Sequence, residues 1–114
     1  MGFSASTRQL GPVTIVDVRG RFTLIEGEAV YELLVDLFQD GKSKVLLNFR
    51  DVTYLDSSGV GQLVRSLFTA RKSGALLGTV DLSKRVEEVL RLANLHQVFA
   101  EFPDEQSAIR SFSQ

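Results

Sequence analysis

The run "DVTYLDSSGVGQLV", residues 51–64, decides how this chain folds. Strand-forming residues stop at Asp56, Ser57, Ser58 and Gly59. Val60, Leu63, Val64, Leu67, Phe68 and Arg71 then recur at helical spacing until Gly74 ends the run. A pattern that changes period at an Asp-Ser-Ser triplet marks a strand-to-helix junction.

Working outward from this junction, "KVLLNF" (Lys44–Phe49) is a nearly continuous apolar run. Such runs belong to central strands buried on both faces. "ALLGTV" (Ala75–Val80) is a second, and "VTIVDVRG" (Val13–Gly20) alternates like a half-buried strand. The piece from Thr7 to Leu10 is placed to pair with it through a turn at Gly11-Pro12, making an edge hairpin. Between Glu26 and Gln39, Val30, Leu33, Leu34, Leu37 and Phe38 form the stripe of a helix with one buried face. Glu26 and Glu28 fall in its first turn, where the helix dipole favours acids, and Gly41 closes it. "SKRVEEVLRLANL" predicts a helix capped by Ser83, with Val86, Val89, Leu90 and Ala93 on one face. Val98-Phe99 reads as a short last strand. "DEQSAIRSF" reads as a final helix, capped by Asp104 after Pro103. The order β(β)αβαβα(β)α predicts a single α/β domain over residues 1–114, with its core at about 13–112. The expected sheet is mixed and mainly parallel, with four to five strands flanked by about four helices.

Composition narrows the function. The 114 residues suit one domain, and 44% apolar with 24% charged residues is ordinary for a globular protein. The 13 Lys and Arg are scattered among 14 acids for a net charge of −1, so the chain offers no basic footprint for nucleic acid. With no cysteine there is neither a disulfide nor a thiolate metal site, which fits a reducing compartment. No apolar run approaches the roughly 20 residues that span a bilayer, and no signal peptide is visible. A cytoplasmic protein without direct membrane contact is expected. "MGFSAS" fits the permissive myristoylation pattern at Gly2 and Ser6, and reads as coincidence.

Little here supports catalysis. His96 is the only histidine, and its neighbours Leu95, Gln97 and Val98 supply no further ligand, so no metal is expected. A nucleophilic Ser57 or Ser58 needs a base within reach and lacks the G-x-S-x-G elbow. "SSGVGQ" lacks the third glycine of a dinucleotide loop and the Lys-Ser/Thr of a P-loop. Neither an enzyme nor a cofactor site is expected. As caps, Asp56 and the serines would accept hydrogen bonds from the free N–H groups of the helix, each worth about 1 kcal/mol. Gly59 and Gly61 do not fit a cap alone, since each costs roughly 1 kcal/mol relative to alanine inside a helix. Two glycines there suggest that something approaches the backbone closely, so the stretch reads either as a cap or as an interaction or modification site.

At this point "LLNFRDVTYLDSSGVGQLVRSLFTARKSG" resembles the signature of the STAS domain, the family named for sulphate transporters and anti-sigma-factor antagonists. The strand ending "VRG", the helix "EAVYELLVDLF" and the late "RVEEVLRLANLHQVF…DEQSAI" segment extend the resemblance from about Val13 to Phe112. It implies a bacterial, non-enzymatic switch in transcription regulation. Unphosphorylated, such a protein binds a serine protein kinase that is also an anti-sigma factor. Phosphorylation by that kinase breaks the complex, and a serine phosphatase resets it. Carried onto this chain, the phosphoacceptor is Ser57. The implied partner-binding residues are Asp56, Ser57, Ser58, Gly59, Val60 and Gly61, together with Arg21 and Thr23. Those last two stand in "GRFTL" (Gly20–Leu24), where many relatives carry an acidic Gly-Glu-Leu-Asp motif, so the charge that a partner meets is altered. The other role that the resemblance allows is a scaffold or accessory subunit of a transport or stress-sensing assembly, in which Ser57 is never modified.

Overall fold

The computed structural model describes residues 2–94 and 100–112. Their order is β1 (Ser4–Leu10), β2 (Val13–Phe22), α1 (Leu24–Gln39), β3 (Lys44–Leu55), α2 (Ser57–Lys72), β4 (Leu76–Val80), α3 (Lys84–Leu92), β5 (Ala100–Phe102) and α4 (Glu105–Phe112). The five strands form one sheet in the order β1-β2-β3-β4-β5. β1 runs antiparallel to β2, from Leu10 opposite Val13 to Ser4 opposite Arg19, and every other neighbouring pair is parallel. This is the α/β fold expected from the alternation of periods.

The pleat divides the core. Val16 and Val18 of β2, with Val45, Leu47 and Phe49 of β3, face a cluster that takes in Val30 and Leu34 of α1, Leu63 and Leu67 of α2, and Val86 and Leu90 of α3. Val13, Ile15, Leu46 and Val80 face the other way, against Ala108 and Phe112 of α4. Among the described residues, three helices therefore cover one face and α4 covers the other. Val45, Leu46 and Leu47 are all fully buried, as a central strand flanked by both helical layers requires.

α4 is held by charge as well as by apolar contact. The Arg8 guanidinium of β1 donates to both carboxylate oxygens of Asp17 on β2, at 2.7 and 3.0 Å, and also reaches Glu105 of α4. Asn48 of β3 donates to Asp17 at 2.9 Å. These bonds, Arg8 foremost, hold the Asp17 carboxyl below the ordinary carboxylate range. Asp104 caps α4 by accepting the Ser107 N–H at 2.8 Å, which lowers its own pKa. Ser83 caps α3 in the same way, through Val86 N–H at 3.2 Å.

Several boundaries differ from the expectation. β1 begins at Ser4 rather than Thr7. It is an exposed edge strand with almost no buried residue, so hydrophobic periodicity does not mark it. β3 joins the apolar run at Lys44–Phe49 and the strand-forming residues that end at Leu55 into one strand, and its register against β2 slips twice, between Asp17 and Arg19 and between Gly20 and Arg21. Each slip adds a residue to β3 and breaks its alternation. Phe68, expected on the buried stripe of α2, is 58% exposed. Ala93 is the exposed C-cap of α3 rather than part of its apolar face. The expected strand at Val98-Phe99 lies outside the described residues, as does His96; β5 begins at Ala100. Among the described residues no helix is long and apolar enough to cross a membrane, and no three His, Cys, Asp or Glu side chains gather as metal ligands would.

Candidate functional site

β2 and β3 end side by side, with Phe22 opposite Leu55, and each passes straight into a helix. The parallel pairing thus brings the first turns of α1 and α2 to one corner of the molecule. Asp56 is the N-cap of α2. Its extended backbone ends the strand, and its Oδ1 accepts the Gly59 N–H at 2.9 Å. The Asp56 carbonyl takes the Val60 N–H at 2.9 Å as the first bond of the helix. Ser57 and Ser58 occupy the first two helical positions, and both are exposed. Asp56 is thus the cap, and Ser57 is the solvent-facing residue beside it.

The two glycines have different reasons. Gly59 is buried. A β-carbon there would lie inside contact distance of the Phe22 carbonyl oxygen and 3.0 Å from both the Phe22 carbonyl carbon and Leu55 Cδ1. Glycine is required so that α2 can rest directly on the end of β2. The approaching backbone that the sequence suggested is the chain's own. Gly61 is exposed, with nothing within 4 Å of the place a β-carbon would take, so it leaves the surface bare. Val60 is 7% exposed and belongs to the core cluster. Of the residues expected to meet a partner, Gly59 and Val60 therefore build the corner from inside, while Ser57, Ser58 and Gly61 lie on its surface.

Arg21 and Thr23 do reach this corner. The Arg21 guanidinium lies over the Tyr54 ring, 4.3 Å from its centroid, across the paired ends of β2 and β3. Thr23 is the N-cap of α1. The Glu26 carboxylate turns back to accept the Thr23 N–H at 3.0 Å and the Thr23 hydroxyl as well. These bonds from Thr23 lower the Glu26 pKa. An acid therefore stands at the corner, supplied from the helix instead of the strand end. The T-x-x-E spacing of a capping box was the readable signal for it.

Leu24 and Ile25, the first residues of α1, fall outside the apolar stripe that the helical spacing marks, and they are 49% and 73% exposed. They put apolar surface next to the polar groups of the corner. Neighbouring apolar residues left in water form an exposed apolar patch at the start of α1. α1 and α2 are drawn close behind this patch, where a β-carbon on Gly27 would lie 2.6 Å from Gln62 Cβ.

Comparison with known proteins agrees with this geometry. A family model described as the STAS domain matches residues 4–108. A Thermotoga maritima protein assigned as an anti-sigma factor antagonist superposes with a TM-score of 0.88 at 22% identity, over 96% of this chain and 95% of its own. An anti-sigma factor antagonist from Mycobacterium paratuberculosis gives 0.86 at 17% identity, covering 99% of this chain and 96% of its own. The Bacillus cell fate determinant SpoIIAA in its phosphorylated form gives 0.70 at 15%, covering 96% and 99%. At these identities the structural likeness speaks for the fold, and the family match speaks for descent. The chain belongs to the STAS domain family.

Proposed function

We propose that this protein is an anti-sigma-factor antagonist: a binding module, not an enzyme, whose hold on its partner is released by phosphorylation of Ser57. The observation that carries this reading is the exposed Ser57 at the first position of α2, directly after the Asp56 cap, in a STAS domain. The partner is a serine protein kinase that is also an anti-sigma factor. Ser57 Oγ attacks the γ-phosphorus of ATP, the bond to the β-phosphate oxygen breaks, ADP leaves, and the hydroxyl proton passes to the kinase. A serine phosphatase returns the hydroxyl by hydrolysis. The setting is the bacterial cytoplasm.

Electrostatics favours a change in binding over a change in fold. A phosphoryl group brings about −1.5 to −2 charge. At the first position of α2 it meets a helix N-terminus, whose free N–H groups and dipole stabilise an anion. The fold therefore tolerates it. A partner seated on the corner would have to desolvate that charge beside Asp56, at a cost that an unmodified hydroxyl does not impose.

The test is incubation with the cognate kinase and ATP, followed by intact mass and peptide mapping. Modification of Ser57, weakened binding by Ser57→Asp and preserved binding by Ser57→Ala are expected. Equal binding by all three forms would sink the switch. A second reading, an accessory STAS subunit never modified at Ser57, draws on Arg21 and Thr23 standing where many relatives are acidic. Intact mass of protein isolated from its native host separates the two.

A further inference from the structure

The outer faces of α1 and α2 carry opposite charge. α1 holds Glu26, Glu28, Glu32 and Asp36 and no Lys or Arg; α2 holds Arg65, Arg71 and Lys72 and no acid. On α1 the exposed residues Glu28, Glu32 and Asp36 are spaced by four, so they form one stripe. On α2, Gly61, Arg65, Phe68 and Lys72 are exposed at spacings of four, three and four, a second stripe. Both stripes point away from the sheet, since the buried residues of each helix lie on its opposite side.

The helix dipole accounts for Glu26 in the first turn of α1 and for Arg71 and Lys72 in the last turn of α2, but not for the rest of the pattern. Asp36 sits in the last turn of α1, where the dipole disfavours an acid, and that turn has no basic residue. Nor do the stripes neutralise each other. Among the described residues no ion pair links α1 to α2; Arg65 instead lies over the Tyr31 ring of α1, 3.7 Å from its centroid. Phe68, between Arg65 and Lys72, is left 58% exposed.

We propose that this face is a two-fold interface between two copies of the chain. A purely acidic partner would suit α2 but would be repelled by the stripe on α1 beside it. A second copy, turned by half a rotation about an axis parallel to the helices, sets each α1 over the other copy's α2. One contact then satisfies both stripes, and each Phe68 is covered. Such an isologous patch is self-complementary by construction. The proposal is independent of phosphorylation at Ser57.

The experiment is sedimentation equilibrium of the full chain between about 10 and about 500 µM, run at about 50 mM and about 500 mM salt. A dimer is expected at low salt, with its dissociation constant rising at least about tenfold at high salt as the charge contacts are screened. Arg65→Glu with Lys72→Glu makes both stripes acidic, and Glu32→Lys with Asp36→Lys makes both net basic, Glu28 alone remaining acidic. Each double variant should be monomeric, and an equimolar mixture of the two should form a heterodimer. A monomeric wild type throughout this range overturns the proposal. So does a folded pair of variants, checked by circular dichroism, whose mixture fails to associate, or either double variant dimerising as the wild type does.

Discussion

Replacing Gly59 by alanine tests how the corner that presents Ser57 is built. The new β-carbon would press on the Phe22 carbonyl and stand 3.0 Å from Leu55 Cδ1. Ordinary contact between non-bonded heavy atoms is about 3.5–4.0 Å, and the carbonyl oxygen is the nearest atom, so the first turn of α2 must retreat by at least about 1 Å. The obstacle is a backbone carbonyl fixed in a parallel ladder, and it cannot rotate aside as a side chain would. Overpacking costs about 1–3 kcal/mol, and this site belongs at the upper end. Alanine returns about 1 kcal/mol through helix propensity, leaving a net loss of about 2 kcal/mol. For a domain of this size that lowers Tm by about 8–12 °C. Gly61→Ala is the internal control, because nothing lies within 4 Å of its β-position. There the propensity gain stands alone, and Tm should rise by about 4 °C. Both are read from thermal melts followed by circular dichroism. A Gly59→Ala protein as stable as the wild type would refute the close-approach explanation, and so would equal stabilisation by both substitutions.

Two further outcomes follow from the caps and the charge network. Asp56→Ala removes the acceptor for Gly59 N–H and should cost about 1 kcal/mol in urea denaturation, whereas Ser57→Ala, at an exposed position, should change stability by less than about 0.5 kcal/mol. The Asp17 pKa is depressed in the fold, chiefly by Arg8, so its contribution is present above the unfolded value near 3.8 and is lost as pH falls below it. Asp17→Asn should therefore lower stability at neutral pH by about 1 kcal/mol and flatten its decline below about pH 4. A variant as acid-sensitive as the wild type would count against the Arg8–Asp17 assignment.

Much of this architecture is legible because the sequence changes period where the structure changes element. Val13, Ile15, Val16 and Val18 give β2; the Val30, Leu34 and Leu63, Leu67 pairs give α1 and α2; Asp56, Ser83 and Asp104 announce their helices as caps. What periodicity misses is structure without a buried face or with a broken register. β1 lies exposed at the sheet edge, and the two register slips break the alternation along β3, so that its apolar run and its last residues do not read as one strand. Phe68 fits the apolar spacing of α2 and yet faces outward, because spacing cannot tell which of two adjacent helical stripes meets the sheet. The site is readable as a junction and a hydroxyl. The reason for Gly59 is not, since it depends on Phe22, a residue far off in sequence whose carbonyl arrives only through the β2–β3 pairing. Arg21 likewise reads as the loss of an acid, whereas its stacking on Tyr54 and the return of Glu26 to Thr23 emerge only once the strand ends meet.

The most direct test of the central claim is the affinity of the cognate anti-sigma kinase for this protein before and after stoichiometric phosphorylation of Ser57, measured by calorimetry with the melting temperature of each form recorded alongside. Release by charge at the corner predicts binding weakened by about 100-fold, equivalent to about 2.7 kcal/mol, with Tm moved by no more than about 4 °C. Equal affinity of the two forms, or a loss of binding accompanied by unfolding, would contradict it.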